Sequence, residues 1–167
     1  MKTLFPYPFR VVSVRVDPKW VLHAEKHANK IKEDKGKLTV STWAVAQRVS
    51  EIAFATILGD KEANFPIGKW APSLAYKDSN IKVHGAPVKE KYNFGSKAKL
   101  IVRKTTIRFD DYHILALYDP PYVDFVGYAT KHDLLEEGIG DKSLSINASE
   151  LRETMDLLKE LGVIKKK

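Results

Sequence analysis

The sequence predicts a mixed α/β fold, in which a central β-sheet is flanked by helices. Two kinds of pattern support this prediction. Apolar residues that alternate with polar ones, or that run together, are typical of strands, and they occur at residues 9–16, 80–83, 100–103, 112–118 and 122–128. Caps and apolar side chains at helical spacing indicate helices at residues 18–35, 43–58, 131–137 and 147–161.

Composition and charge limit the class of protein. The chain has 167 residues, enough for one domain with a sizeable core, and its 44% hydrophobic and 29% charged residues are ordinary for a globular protein. No apolar run approaches the roughly 20 residues that a membrane span requires, so no membrane partner is expected. The absence of cysteine excludes disulfides and thiolate metal sites, and it favours a cytoplasmic protein. The net charge of +7 favours nucleic acid as a partner, although a lysine-rich solvated surface gives the same charge.

Cap residues bound the first two helices. Asp17 is the expected N-cap of the first helix, and Pro18 lies in its first turn. Ser41-Thr42 is a good cap for the second helix, which Gly59 is expected to end.

Two histidines, His23 and His27, lie one turn apart on the first helix. This spacing can bind a metal ion. No third ligand is evident nearby in the sequence, so a solvated helix surface is the favoured interpretation.

The C-terminal half predicts buried strands followed by short helices. Residues 112–118 are nearly all apolar, which is typical of a central strand that is covered on both faces. Thr130 is the expected cap of the next helix, and residues 138–145 are expected to form a loop. Asn147 is expected to cap a last helix that ends at Leu161.

Residues 79–92 are expected to form a β-hairpin, and the candidate site lies in it. Residues 80–83 alternate between polar and apolar, and residues 84–87 contain the glycine and the proline of a turn. Alternation in the second strand would place Lys89 and Lys91 on one face.

This hairpin resembles the core of the PD-(D/E)XK nuclease superfamily, the restriction-endonuclease-like fold. In that superfamily an Asp on one strand and an (Asp/Glu)-x-Lys on the next hold a divalent metal against the scissile phosphate. Residues 50–59, Ser-Glu-Ile-Ala-Phe-Ala-Thr-Ile-Leu-Gly, are similar to the superfamily's helix Gly-Glu-x-Ala-x-Ala-x-x-Leu-Gly. Residues 110–134 follow its order of a strand, a turn, a strand ending in Gly-aromatic-Ala-Thr, and a helix. The resemblance implies a restriction-endonuclease-like core at about residues 42–137.

The resemblance also implies a set of site residues. Asn80 falls on the Asp position of the superfamily, Lys89 on the acidic position and Lys91 on the lysine. Because Lys89 places a cation where an acid is expected, Asp78 and Glu51 are the substitute carboxylates. The implied catalytic residues are therefore Glu51, Asp78, Asn80, Lys89 and Lys91, and the first three would bind Mg²⁺ or Mn²⁺.

Two other arrangements stay open at this point. Glu90 faces away from this set unless a bulge in the turn swaps the alternation. A second register makes Lys104 the active lysine and puts Val102 at the acidic position, which leaves the site no better supplied with acid.

The resemblance predicts a metal-dependent DNA endonuclease that hydrolyses phosphodiester bonds and that is weakened or inactivated at its motif. Two alternatives stay open: a nuclease-fold protein that binds nucleic acid without cleaving it, and a scaffold or inhibitor that contacts a protein partner. DNA is the expected partner, and a homodimer is left open. The basic residues expected to contact DNA are Lys97, Lys99, Arg103 and Lys104.

Overall fold

The computed structural model describes residues 11–36, 41–60, 63–70, 73–88 and 98–165. The strands in these ranges are β1 (Val12–Arg15), β2 (Leu74–Tyr76), β3 (Ser79–Pro87), β4 (Lys99–Arg103), β5 (Tyr112–Asp119), β6 (Tyr122–Thr130) and β7 (Ser143–Asn147). The α-helices are α1 (Pro18–Asp34), α2 (Thr42–Leu58), α3 (Lys131–Glu137) and α4 (Thr154–Glu160). Single 3₁₀ turns lie at Ile107–Phe109 and Ala148–Glu150.

A mixed five-stranded sheet forms the centre of the fold, with the strand order β1-β6-β5-β3-β2. The β3–β5 pair is parallel and the other three pairs are antiparallel. Strands β4 and β7 form a second, two-stranded antiparallel sheet. The predicted mixed α/β class with helices against a central sheet is therefore confirmed. Among the described residues, no helix has both the length and the apolar character needed to cross a membrane.

Each face of the central sheet has its own hydrophobic cluster. Side chains of α1, α2 and α4 pack on one face. The cluster there includes Ala24 of α1, Phe54 of α2, Leu157 of α4 and Phe125 of β6. The β4–β7 sheet and α3 pack on the other face, and this second cluster includes Leu100, Leu134, Leu144 and Leu117. The outer edge of β3, opposite β5, lies between these two layers.

Local cap chemistry places α1 and α2 where the sequence predicts them. The Asp17 carboxylate accepts a hydrogen bond from the Lys19 amide at 2.9 Å, and the Ser41 hydroxyl accepts one from the Ala44 amide at 3.3 Å. Gly59 ends α2 with a left-handed backbone at φ 69°. Single capping residues therefore set the starts of α1 and α2 and the end of α2.

Two predictions for the C-terminal region are wrong. Strand β7 begins at Ser143, inside the expected loop of residues 138–145, because residues 143–147 pair with β4 over five positions. The last helix does not start after Asn147: a 3₁₀ turn follows that residue, and α4 begins only at Thr154. Both errors come from pairing over a long sequence distance, which local patterns do not contain.

The predicted hairpin of residues 79–92 is wrong as well. The expected turn at residues 84–87 lies inside β3, which runs without interruption from Ser79 to Pro87 and pairs in parallel with β5 from Ile81 onward. The observed hairpin joins β2 to β3, and Lys77 in its turn has φ 53°. Residues 89–92, including Lys89 and Lys91, lie outside the described residues.

Gly85 is needed for a close helix contact, although the sequence suggested a turn there. A Cβ atom at Gly85 would lie 2.7 Å from the Ser50 Oγ and 2.9 Å from the Ala46 carbonyl oxygen, both on α2. We expect Gly85→Ala to force α2 away from β3 and to lower the free energy of unfolding by about 1–3 kcal/mol. Urea denaturation measures this change, and an unchanged midpoint would contradict the close approach.

Candidate functional site

The outer edge of β3 is covered in two different ways along its length. Strand β2 pairs with its first residues, Ser79–Ile81. Further along, the Gln47 side chain of α2 takes the place of a neighbouring strand. Its Nε2 donates to the Val83 carbonyl oxygen at 2.6 Å, and its Oε1 accepts from the Gly85 amide at 2.6 Å.

Two adjoining cavities lie at this edge, and together we call them the edge groove. The inner cavity has a volume of about 360 Å³, and its apolar wall consists of Ala86, Ala98, Ile101, Leu115 and Leu117. The outer cavity has a volume of about 260 Å³ and adds Trp70 and Lys82. Both cavities share Trp43, Gln47, His84 and Gly85, so they adjoin each other.

The rim of the edge groove combines aromatic and basic side chains. Trp43 is 49% exposed and Trp70 is 55% exposed. Lys99 is exposed at the start of β4 and lines the inner cavity, and Lys82 lines the outer one. Alternation along β4 places Arg103 on the same outward face as Lys99.

Glu51 lies next to the edge groove, and its carboxylate is already neutralised by cations. Its side chain is buried, with Oε1 3.3 Å from the Arg48 Nε and Oε2 4.0 Å from the Lys82 Nζ. Gln47 also donates to Oε2 at 3.2 Å. Burial raises the pKa of Glu51, and Lys82, Gln47 and Arg48 oppose that rise. The carboxylate therefore belongs to an ion-pair network within the fold.

Arg48 is the centre of this network, and none of its surface is exposed. Its NH1 lies 2.8 Å from the His23 Nε2, and its NH2 lies 3.3 Å from the His27 Nε2. It also donates to the Lys69 carbonyl oxygen at 2.9 Å. Arg48 thus ties α1 and α2 to the segment 63–70, which carries Trp70.

The two histidine rings of α1 lie beside Arg48 instead of forming a solvated helix surface. His27 is buried, so that interpretation is wrong for it. Its Nδ1 accepts a hydrogen bond from the Gly68 amide at 3.0 Å, and its ring contacts Trp70 edge to face at 5.8 Å. Burial and the charge of Arg48 lower the pKa of His23 and lower the pKa of His27 to about 4. Both rings are therefore neutral at neutral pH.

A second histidine pair, His84 and His113, lies at the wall of the edge groove. The His113 Nε2 is 3.3 Å from the Ile107 carbonyl oxygen, and its Nδ1 is 3.0 Å from the His84 Nε2. A carbonyl oxygen only accepts, so we assign the His113 proton to Nε2 and the His84 proton to its own Nε2. Burial, His113 and Lys82 lower the pKa of His84 to about 3, so its neutral ring keeps Nδ1 as an acceptor.

The three predicted metal ligands have different environments in the structure. Glu51 is buried among cations, and Asp78 is exposed in the β2–β3 turn. Asn80 is exposed on β3, and its backbone amide donates to the Asp111 carboxylate at 2.9 Å. Among the described residues, no three His, Asp or Glu side chains are placed to hold one ion. Magnesium prefers carboxylate ligands. Because the Glu51 carboxylate is already paired with Arg48 and Lys82, Glu51 does not fit a magnesium site.

The remaining predicted site residues have different environments. Lys89, Lys91 and Lys97 lie outside the described residues. Lys104 is exposed just after β4, near the exposed Lys99 and Arg103 described above.

The second register is no better placed for chemistry. Val102, at its acidic position, is buried in the core. Lys104, its proposed lysine, therefore has no acid at the position that the register requires.

Sequence reasoning missed Lys82, His84 and Gln47, which are the polar side chains at the centre of the edge groove. A signal was present, because Lys82 and His84 alternate with Ile81 and Val83. If that alternation is continued through Gly85, both polar side chains share a face of one longer strand. Gln47 carried no local signal, because its partners on β3 are remote in the sequence.

Comparison of the chain with family models, with curated proteins and with solved structures finds no match.

Proposed function

We propose that this chain is a nucleic-acid-binding protein that binds a DNA strand in the edge groove. The observation that carries the proposal is a pair of adjoining cavities lined by two half-exposed tryptophans and by Lys82 and Lys99, in a chain of net charge +7. Bases stack on exposed aromatic rings, and phosphates pair with nearby cations.

The arrangement of charges supports a strand that passes from the outer cavity to the face of β4. Lys82 lies beside Trp70 at one end, and Lys99 lies at the other end of the groove. Arg103 continues the line of positive charge along β4. Stacking contributes about 1–3 kcal/mol per base, and each phosphate contact adds an electrostatic contribution that salt weakens.

Binding without hydrolysis is the form of this function that the site supports best. The proposed lineage is the restriction-endonuclease-like fold, in which the Glu of the helix that resembles residues 50–59 is a further metal ligand. In this chain the Glu51 carboxylate forms ion pairs with Arg48 and Lys82. We infer that the site keeps a groove for DNA and has exchanged metal binding for an internal ion pair.

The aromatic rim gives the first test of this proposal. We expect Trp43→Ala with Trp70→Ala to weaken the binding of a single-stranded oligonucleotide by at least tenfold, because two stacking surfaces are lost. Fluorescence anisotropy with a labelled oligonucleotide measures the dissociation constant. Leu135→Ala is the control, because it removes an exposed apolar side chain from α3.

The salt dependence of binding and a cleavage assay complete the test. Lys99→Gln with Arg103→Gln should reduce the slope of log K against log salt by about two, while Lys19→Gln on α1 should leave it unchanged. Absence of binding at low salt would refute the proposal. Nicking of plasmid DNA with Mg²⁺ or Mn²⁺ that disappears in Glu51→Gln would favour a nuclease instead.

A further inference from the structure

We propose that the inner cavity of the edge groove holds one unstacked nucleobase of the bound strand. This inference rests on the proposed function and assigns a role to a cavity that strand binding alone does not require. Stacking on Trp43 and Trp70 needs only their exposed rings, whereas the inner cavity extends inward from Trp43 to Leu115 and Leu117 of the central sheet.

The size and lining of the inner cavity suit a base. Its volume of about 360 Å³ lies at the small end of the range for ligand sites, about 300–1,000 Å³. Its walls include Leu115, Leu117 and Ile101, which are apolar surfaces for the two faces of a flat ring. Proteins that extrude a base hold it between such side chains and bond its edge with a few polar groups.

The polar group available for that edge is the ring of His84. Its Nε2 donates to His113, and this bond is fixed because His113 donates in turn to the Ile107 carbonyl oxygen. Nδ1 is therefore the hydrogen-bonding atom that His84 can offer a ligand, and it is an acceptor. His84 can therefore accept a hydrogen bond from a base N–H group, which every natural base has.

The neighbouring groups account for the rest of the nucleotide. Both ends of the Gln47 amide are hydrogen-bonded to the backbone of β3, so Gln47 lines the cavity without bonding to the base. Lys99 lines the same cavity, where it can pair with a phosphate beside the inserted base, and Lys82 adds positive charge at the adjoining cavity. Trp43 borders both cavities and can stack the next base of the strand.

The test uses pentanucleotides of abasic deoxyribose phosphate that carry either no base or a single central thymine. One base removes any ambiguity of register, and the bare backbone reports phosphate binding alone. We expect the thymine to tighten binding by at least tenfold, as measured by competition against a labelled oligonucleotide. N3-methylthymine lacks the N–H donor, and we expect it to lose most of that gain.

Variants of the cavity locate the site of this gain. Ala86→Leu fills the inner cavity, and we expect it to abolish the gain from thymine while Ala86→Ser, which leaves the cavity open, retains it. Trp70→Ala should also retain it, because Trp70 lines only the outer cavity of the two. Circular dichroism melting checks that Ala86→Leu is folded, and the N3-methylthymine comparison needs no variant.

The outcomes separate this inference from the proposed function. Salt-dependent binding of the abasic backbone with no gain from thymine, or an equal gain from N3-methylthymine, would overturn the base site and leave strand binding intact. A gain that is lost in Trp70→Ala but kept in Ala86→Leu would place the base in the outer cavity and overturn the inference. If neither the pentanucleotides nor longer strands bind at low salt, both proposals are overturned.

Discussion

Replacing Arg48 by methionine is expected to lower the free energy of unfolding by about 3–5 kcal/mol, which is the cost of breaking a buried ion pair by removing one partner. Methionine keeps most of the volume but leaves Glu51 with Lys82 as its remaining cation, at 4.0 Å. It also removes a donor from the Lys69 carbonyl oxygen and from the His23 ring. For a chain of this size the melting temperature should fall by on the order of 10 °C.

Urea denaturation of three variants separates the ion pair from its surroundings. Glu51→Gln removes the buried charge that Arg48 compensates, so the double variant Arg48→Met with Glu51→Gln should be more stable than the sum of the single changes predicts. A coupling free energy of at least about 1 kcal/mol is expected for groups in contact. A loss below about 1 kcal/mol in Arg48→Met would mean that the network does not stabilise the fold.

Acid is expected to destabilise the protein between about pH 6.5 and pH 4, because the folded state holds His27 with a pKa of about 4 against 6.5 for the free side chain. In this interval the unfolded chain binds the proton and the folded chain does not, so stability rises with pH and is complete above 6.5. His27 is 1% exposed, and its shift corresponds to about 3 kcal/mol. His23, His84 and His113 also have lowered pKa values and add to the slope with the same sign.

Melting curves from pH 4 to pH 7.5 measure this dependence. His27→Asn removes one titrating group, so we expect a shallower slope than in the unchanged protein. Glu51 acts in the opposite direction, because its pKa is raised, and Glu51→Gln should steepen the slope. A melting temperature that is constant over this interval would contradict the neutral, buried state of these histidines.

The first helices could be predicted from the sequence because their limits are set by local chemistry. Asp17, Ser41 and Gly59 each act within a few residues of their own position. The strand β5 was equally clear, since a nearly continuous apolar run is typical of a strand that is covered on both faces. The mixed α/β class followed from these elements.

The register of β3 and the contents of the groove could not be predicted in the same way. A Gly-Ala-Pro segment suits a turn, and it equally suits a strand in which a helix lies against the glycine and the proline ends the strand. The pairing of β3 with β5 and the close contact between Gly85 and Ser50 decide between these structures, and both join residues far apart in the sequence. Glu51 was predicted as a metal ligand, and its pairing with Lys82 depends on that same register.

The side chain of Gln47 has a consequence for the behaviour of the protein in concentrated solution. An exposed strand edge offers unpaired amides and carbonyls to which a strand from another molecule can add, and this is a common start of aggregation. Strand β2 pairs only with the beginning of β3, and Gln47 occupies the next outward-facing pair of groups, the Val83 carbonyl and the Gly85 amide. One amide side chain therefore protects an edge that the fold leaves open for its groove, and it does so without closing that groove.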